Sequence, residues 1–385
     1  MAASPPPAAP FREPFGQVVA DGSPVTVLGV HVGAAQASAD GWLTGTTVIV
    51  PPPGTVTGVD VRGGGPAGHE TDVLAPGTHS PGADAVVLTG GSAWGLAAVL
   101  GVQQGLAADG RGFPAPQLPG AYVPIVPAAA VYDLGRGDGT VRHPDAGMGL
   151  AAYRSATTTA EAPVRGSVGG GTGAFIGRGL LRGGLGAACL RTPSGHLVAA
   201  IVVANPMGDV LEPSGRLHAA GVLARLGLEL PRAPHDWVEQ ALELDGTATD
   251  GVLSQRNTTI AAIVTDARLD SAQATRLAQS AQAGLSRAIH PSHTLFDGDT
   301  VFALATGGAD VDVDPLGLVG LNCAAADVLS LAIVDAALSA APHRRGGAVG
   351  RGPHEGSEPA ARPAALREIA LDLASAWETF RSTGV

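Results

Sequence analysis

Short apolar runs that alternate with turn residues dominate the pattern along this chain. Runs of β-branched and apolar residues, each bounded by glycine or proline, predict strands. Longer stretches with apolar residues every three or four positions predict helices. The predicted strands cover 25–32, 46–50, 55–61, 85–89, 197–204, 258–265 and 301–306, and the predicted helices cover 93–108, 214–226, 271–288, 323–340 and 364–381. Strands mixed with apolar helices indicate an α+β protein in which helices pack on sheets.

Two of the predicted helices begin with a capping signal. Ser92 precedes the first helix, and Asp270 or Ser271 precedes the third. Such side chains accept hydrogen bonds from the free N–H groups of a first turn. Residues 111–165 look loop-rich apart from an apolar stretch at 122–134, and 227–257 show little periodicity.

The composition favours a large folded core. The chain has 385 residues, 45% of them hydrophobic, and its 56 glycines and 30 prolines stay below the share typical of low-complexity sequence. Disorder, collagen and coiled coil are therefore poor interpretations. We expect a flexible N-terminal arm at 1–24, a single domain at 25–340, a linker at 341–363 and a C-terminal helix at 364–385. That helix covers the core of its own subunit or reaches a neighbouring subunit.

The charged residues exclude several classes of function. All 23 residues counted as Lys or Arg are arginine, so Schiff-base catalysis and a phosphate-loop lysine are excluded. The net charge is −11 and the longest basic run is two residues, so no basic face for nucleic acid is predicted. The first residues do not resemble a secretory signal, and we identify no apolar run near the ~20 residues that span a bilayer. We expect a soluble cytoplasmic protein without a membrane partner.

The boundary between Asn257 and Thr258 is the most informative position. A polar segment ends at Asn257, and a strand of buried type begins at Thr258. From the residues alone, a β-branched residue that simply starts a strand is the favoured interpretation. The alternative is self-cleavage, in which the Thr258 hydroxyl attacks the preceding carbonyl and the resulting ester is hydrolysed. Thr258 would then be an N-terminal nucleophile with its own α-amine, of reference pKa about 7.7–8.0, as general base.

Several sequence blocks favour the alternative. In chain order they are DVRGG at 60–64, ETD at 70–72, LTGGSA at 88–93, VPIVPA at 123–128, GTGA at 171–174, Asn205 and FDGDTVFA at 296–303. Over 25–340 the chain resembles the S58 peptidases, the family of L-aminopeptidase/D-esterases, β-peptidyl aminopeptidases and nylon-oligomer endohydrolases. The resemblance implies a layered αββα sandwich of the N-terminal-nucleophile hydrolase type, cut into a large chain, 1–257, and a small chain from 258. Thr preceded by Asn matches the nylon-oligomer branch.

The resemblance also implies roles for individual side chains. Each of them has an ordinary structural interpretation as well. Asn205 would donate to the oxyanion, although an Asn before Pro is a common turn. Asp297 and Asp299 would orient the nucleophile and hold the protonated amine; in an extended segment they share a face, and a solvated Asp-Gly turn is the plain alternative. Tyr132 would assist the nucleophile or the oxyanion, and a half-buried core aromatic is an equally good interpretation.

The missing lysine is a departure from the family pattern. The nylon-oligomer branch uses a lysine in or near the glycine cluster at 166–186, where this chain has Phe175 after GTGA, with Arg178 and Arg182 as the nearest bases. An arginine supplies charge and hydrogen bonds but does not shuttle protons. The cluster lacks the Lys-Ser/Thr ending of a phosphate loop, so we expect its glycines to permit close backbone approach.

Four other interpretations remain open. His290, His293, Asp297 and Asp299 offer metal ligands within ten residues, although no fixed two-His helical motif is present. A Ser/Thr–His–Asp triad is possible in principle, but nothing marks one. An acyltransferase would use the same threonine chemistry, and a binding protein on this fold would never be cut. We expect no cofactor and no metal, a short peptide or oligoamide substrate, and a dimer or tetramer of cleaved units.

Overall fold

Strands and helices alternate irregularly along the chain. The computed structural model describes residues 15–80, 82–158, 165–245, 257–342 and 363–384. The strands are β1 Gln17–Val18, β2 His31–Ala37, β3 Thr44–Val50, β4 Val56–Val61, β5 Gly68–His69, β6 Val86–Thr89, β7 Phe113–Pro114, β8 Tyr122–Val123, β9 Ala128–Ala130, β10 Phe175–Ile176, β11 Leu181–Arg182, β12 Gly184–Arg191, β13 Leu197–Asn205, β14 Thr258–Thr265 and β15 Thr300–Ala305. The helices are α1 Ser92–Gly95, α2 Ala98–Ala108, α3 Ala146–Thr158, α4 Ala220–Arg225, α5 Trp237–Asp245, α6 Ser271–Ala288, α7 Pro315–Ser339, α8 Leu366–Ile369 and α9 Leu371–Thr383.

Two sheets stack face to face. One has six strands in the order β1-β12-β13-β14-β15-β4, and the other has five in the order β2-β3-β6-β9-β5. The core between them mixes apolar side chains of both sheets, such as Ile201 and Phe302 from the first and Ile49 and Leu88 from the second. Helices α6 and α7 cover the outer face of the six-stranded sheet, and α2 and α3 cover that of the five-stranded sheet. The predicted α+β class and αββα layering are confirmed.

Local signals predicted some elements well and others poorly. β14 and α6 have the predicted bounds, and the Asp270 carboxylate caps α6 by accepting from the Gln273 N–H. The predicted strand at 25–32 is wrong, because Pro24–Thr26 form a 3-10 turn and Gly29 adopts a left-handed φ of 79° before β2 begins. The predicted helix at 214–226 is confined to α4, because Gly215 adopts a φ of 74°.

Helices were also divided or missed. The stretch 93–108 is split into α1 and α2, and Gly91 rather than Ser92 stands at the N-cap of α1. The loop-rich stretch 111–165 contains α3, whose Gly149 packs so closely on α2 that a Cβ there would lie 1.9 Å from the Ala98 carbonyl oxygen. The segment 227–257, which shows little periodicity, contains α5.

Helix α7 corrects the expectation that no apolar run is long enough to span a bilayer. It has 25 residues and a mean hydropathy of 1.9 in its most apolar window, so length and composition alone would allow a crossing. Two thirds of that window is buried within the protein. α7 begins earlier than predicted, at Pro315, because the Asp314 carboxylate accepts from the Gly317 N–H at 2.6 Å and caps it.

Both ends of the described chain are tied to the core. Within the predicted flexible arm, Gln17 and Val18 form an edge strand on β12, so this part of the expectation is wrong. The predicted C-terminal helix is broken at Ala370, whose φ of −124° is non-helical, and both halves pack in the core of their own subunit. Residues 1–14 of the arm and 343–362 of the linker lie outside the described residues.

Candidate active site

One edge of the six-stranded sheet gathers three segments that carry predicted site residues. β13 ends at Asn205, β14 begins at Thr258, and β15 begins directly after Asp299. Since β13 and β14 are antiparallel, the end of one lies opposite the start of the other, and Asn205 pairs with Thr258. Since β14 and β15 are parallel, both begin at this edge. The topology therefore brings together residues that are far apart in sequence.

The Thr258 hydroxyl is held beside the peptide bond that precedes it. Thr258 is 4% exposed. Its hydroxyl donates to the carbonyl oxygen of Asn257 and accepts from the Gly298 N–H at 3.1 Å. A Cβ at position 298 would lie 3.0 Å from that hydroxyl oxygen, so glycine permits the close approach of the backbone donor. The hydroxyl is thus in hydrogen-bond contact with the carbonyl group of the residue that precedes it.

Asp299 fixes the start of β14 and a neighbouring loop. One carboxylate oxygen accepts from the Thr259 N–H at 2.8 Å, and the other accepts from the His293 N–H at 3.0 Å. The second oxygen also lies 2.8 Å from Nδ1 of His293. The carboxylate is buried and contacts the backbone one residue beyond Thr258, so it constrains where the threonine sits.

Asp297 lies in the same loop, and its hydrogen-bond partners are Met207 and Thr294. Its carboxylate accepts from the Met207 N–H at 3.1 Å, from the Thr294 N–H at 3.0 Å and from the Thr294 hydroxyl at 2.5 Å. Burial raises its pKa, and the nearby Asp299 carboxylate raises it further. Among the described residues, no hydrogen bond joins either carboxylate to the Thr258 hydroxyl. Of the predicted pair, Asp299 therefore binds the backbone next to Thr258, whereas Asp297 binds Met207 and Thr294.

The Asn205 amide is held by its oxygen. It is fully buried, and its Oδ1 accepts from the Phe175 N–H at 2.9 Å and from the Arg136 guanidinium. Its Nδ2 donates to the Tyr132 carbonyl oxygen over a long 3.4 Å. The two strong contacts fix the oxygen end, so the NH₂ group is the end that is left for a further acceptor.

A buried arginine that the sequence did not single out joins two of the site residues. Arg136 donates to Oδ1 of Asn205 and, at 3.3 Å, to Oδ1 of Asn257. It also donates to the Gly173 carbonyl at 2.7 Å and stacks 4.3 Å from the centroid of the Phe175 ring. Burial lowers its pKa to about 10, so it stays charged at neutral pH. No local pattern marks Arg136, because the groups to which its guanidinium donates are all distant in sequence.

A cavity of about 280 Å³ opens beside Thr258. It is lined by Gly65, Ala67, Ser92, Ala130, Tyr132, Asn257, Thr258, Leu295 and Phe296. Leu295 and Phe296 stand exposed at its rim, and the predicted Tyr132 side chain forms part of its wall. A cavity of about 320 Å³ lies elsewhere, around α4 and the segment 228–232, and it contains none of the predicted site residues.

Comparison with known proteins decides the family. The profile of peptidase family S58 matches residues 25–348. This chain belongs to peptidase family S58. It is therefore a hydrolytic enzyme of the peptidase and amidase class.

Relatives with two kinds of name are similar to the chain. An uncharacterized aminopeptidase of Mycobacterium leprae is 42% identical over 317 residues, which cover 78% of this chain and 84% of the relative. A 6-aminohexanoate-oligomer endohydrolase of Paenarthrobacter ureafaciens is 32% identical over 327 residues, which cover 81% of this chain and 84% of the relative. The chain is thus similar to both the aminopeptidases and the oligomer hydrolases of the family.

Solved structures share the fold. A β-aminopeptidase of Burkholderia sp. superimposes with a TM-score of 0.65, covering 96% of both chains at 24% identity. The L-aminopeptidase D-Ala-esterase/amidase of Ochrobactrum anthropi, described as a variant of the Ntn hydrolase fold, gives a TM-score of 0.57 at 21% identity, with 87% and 89% of the two chains covered. The αββα architecture is therefore that of the Ntn hydrolases.

Among the described residues, neither of the two arginines nearest to the glycine cluster has a hydrogen bond to a predicted site residue. Arg182 stacks 5.4 Å from the Phe175 ring centroid and donates to the Thr172 carbonyl at 2.8 Å. Arg178 lies instead near Asp209, whose pKa burial raises to about 6 although the guanidinium lowers it. Within the described part of this S58 chain, the guanidinium that contacts site side chains is that of Arg136.

The alternative metal site does not assemble. Among the described residues, no three His, Cys, Asp or Glu side chains lie where they could share a metal ion. His293 contacts Asp299, and the ring of His290 lies 5.7 Å from that of His218. The four residues are accounted for by contacts within the protein.

Proposed function

We propose that this enzyme cuts itself between Asn257 and Thr258 and then hydrolyses short peptides or oligoamides with Thr258 as its N-terminal nucleophile. The observation that carries the proposal is the Thr258 hydroxyl, which is buried at the mouth of a cavity and bonded to the carbonyl oxygen of the bond to be cut. The substrate class is taken from the names of the relatives, which are aminopeptidases and 6-aminohexanoate-oligomer endohydrolases.

Self-cleavage follows from that contact in two steps. The Thr258 oxygen attacks the Asn257 carbonyl carbon, the C–N bond breaks, and the proton of the hydroxyl ends on the freed α-amine. Water then hydrolyses the ester, which leaves a carboxylate on Asn257 and a free threonine at the new N-terminus. Asp299 supports this reaction by holding the Thr259 N–H, and so the start of β14, in place.

The same threonine then acts on a substrate amide. Its hydroxyl attacks the substrate carbonyl while the α-amine accepts the proton and passes it to the leaving amine. The Asn205 NH₂ group and a backbone N–H stabilise the oxyanion, and each such donor contributes on the order of 3–4 kcal/mol to the transition state. Water releases the acyl group from the threonine. Tyr132, in the cavity wall, assists the nucleophile or the oxyanion.

Hydrolysis assays on two Thr258 variants test the proposal. Wild type should hydrolyse members of a panel of amino-acid anilides, β-amino-acid anilides and 6-aminohexanoate oligomers. Thr258→Ser should keep activity because it retains a hydroxyl, whereas Thr258→Ala should lose it. Hydrolysis by Thr258→Ala that a chelator abolishes would contradict the threonine mechanism and favour a metal.

The competing interpretations are separated by the products. Adding a primary amine acceptor shows whether the acyl group goes to water or to the amine, and predominant transfer would identify an acyltransferase. A chain that is never cut, and that binds peptides or oligoamides without hydrolysing them, would be a binding protein on this fold. The cytoplasmic location and the assembly into dimers or tetramers of cleaved units stay predictions.

A further inference from the structure

A single buried guanidinium connects the two asparagines of the site. Arg136 donates from Nη1 to Oδ1 of Asn205 and from Nη2 to Oδ1 of Asn257. We propose that Arg136 is a positioning residue that sets the orientation of both amides, for self-cleavage and for turnover. The proposal rests on the proposed function, since it assigns Arg136 a role in that same reaction.

The orientation follows from what an arginine can donate. A guanidinium carries only N–H donors, so it binds the oxygen end of a side-chain amide and never the NH₂ end. At Asn205 the backbone N–H of Phe175 binds the same oxygen at 2.9 Å. With the oxygen bound by two donors, the NH₂ group is turned away from Arg136 and donates at 3.4 Å to the carbonyl oxygen of Tyr132, a residue of the cavity wall.

Asn257 shows the same arrangement. Its oxygen accepts from Arg136, and its Nδ2 is buried with no hydrogen-bond partner among the described residues. Asn257 is 1% exposed and lines the cavity beside Thr258. A buried amide donor left unpaired costs about 1–3 kcal/mol, so this orientation persists because Arg136 imposes it.

Arg136 is itself fixed in place. The Gly173 carbonyl accepts from it at 2.7 Å, and the Phe175 ring lies under it at 4.3 Å. The buried Asp133 carboxylate raises its pKa against the effect of burial, and Asp133 in turn accepts from the Gly91 N–H at 2.7 Å. Because these contacts restrict the Arg136 side chain, its guanidinium can hold the two asparagine amides in fixed orientations.

The position of Arg136 predicts a specific kinetic signature. Arg136 is not among the residues that line the cavity, so its replacement should leave substrate binding, and therefore KM, nearly unchanged. The oxyanion donor that it orients acts in the transition state, so kcat should fall. A residue that merely stabilised the fold would instead lower the melting temperature and leave kcat per folded, cut chain unaltered.

The test uses Arg136→Lys, with Arg182→Lys as the matched control. Arg182 is also buried and lies over the same ring, but it bonds to Thr172 and Ser167 rather than to the asparagines. A lysine keeps the positive charge but lacks the two terminal nitrogens with which the guanidinium reaches both amides. We expect Arg136→Lys to slow self-cleavage and to lower kcat per cut chain by about 10–100-fold, with KM within twofold, and Arg182→Lys to change neither.

A double-mutant cycle with Asn205→Ala identifies the route of the effect. If Arg136 acts through Asn205, Arg136→Lys should change kcat far less in the Asn205→Ala background than in wild type. Equal effects in the two backgrounds, unchanged kcat, or a raised KM with unchanged kcat would overturn the proposal.

Folding is checked by thermal unfolding of each variant, and complete loss of cleavage in a folded Arg136→Lys variant supports the proposal. If the wild type is neither cut nor active, the proposed function fails; if only Arg136 is dispensable, this inference alone fails.

Discussion

Replacing Asp335 by asparagine tests how the last helix is held on the core. Asp335 lies in α7 and is fully buried. Its carboxylate accepts from the Ala187 N–H at 2.9 Å and from the Trp377 indole N–H at 2.9 Å, and it pairs with Arg165 at 3.0 Å and with Arg381 at 2.8 Å. Trp377 and Arg381 belong to α9, which lies beyond the residues that the S58 profile matches.

The expected loss can be worked from these contacts. Asparagine keeps the shape but removes the charge, so the buried Arg381 would lack its main anion. Breaking a buried pair by removing one partner costs about 3–5 kcal/mol. The asparagine NH₂ would also face donors where the carboxylate offered an acceptor, so we expect the upper part of that range. Typical domains have only about 5–15 kcal/mol of stability in total, so the change should be large.

Urea unfolding followed by circular dichroism measures the effect. Both variants are made in the Thr258→Ala background, so that a single uncut chain unfolds, and protein concentration is matched. The control is Asp312→Asn, because Asp312 is exposed just before α7 and exposed substitutions usually change stability by less than about 0.5 kcal/mol. If Asp335→Asn unfolded at the same urea concentration as the control, the claim that this carboxylate compensates the buried Arg381 would be refuted.

Three further outcomes are expected. Asn205→Asp keeps an oxygen for Arg136 and Phe175 but loses the NH₂ donor, so kcat should fall about 10²–10³-fold; retention of a tenth of wild-type kcat would contradict the oxyanion role. Burial raises the pKa of Asp133 from 3.8 to about 6, so the folded state binds the proton more tightly and wild-type stability falls as the pH rises between these two values. In urea unfolding, the stability of Asp133→Asn relative to wild type should therefore increase by up to about 3 kcal/mol from pH 4 to pH 7. An equal difference between variant and wild type at both pH values would refute the assignment. Thr258→Ser should still be cut at the same bond, as shown by the N-terminal sequence of its small chain, and an uncut serine variant would mean that the hydroxyl alone is insufficient.

The elements that were predicted correctly are those whose signals are local. β14 is a continuous β-branched and apolar run, and α6 begins with a capping box formed by Asp270 and Gln273. α3 was missed because Gly149 and its neighbours weaken the helical pattern. That glycine is required by close packing against α2, since a Cβ would meet the Ala98 carbonyl oxygen. This glycine is explained by a contact between two helices, and the sequence around Gly149 gives no sign of that contact.

The site residues also fall into those that the sequence indicates and one that it does not. Thr258, Asn205 and the two aspartates were placed on matching blocks, and the sheet topology brings them to one edge. Arg136 was not identified, because its role depends on contacts with Asn205 and Asn257 that only the folded chain creates. The absence of lysine from the sequence did not indicate that an arginine would contact both asparagines.

Intact mass and N-terminal sequencing of the purified wild-type protein and its Thr258→Ala variant test the central claim most directly. The account predicts that wild type separates under denaturing conditions into residues 1–257 and 258–385, with Thr258 as the new N-terminus, and that Thr258→Ala remains a single chain. A wild-type chain that stays whole after long incubation, or a Thr258→Ala chain cut at the same bond, would contradict it.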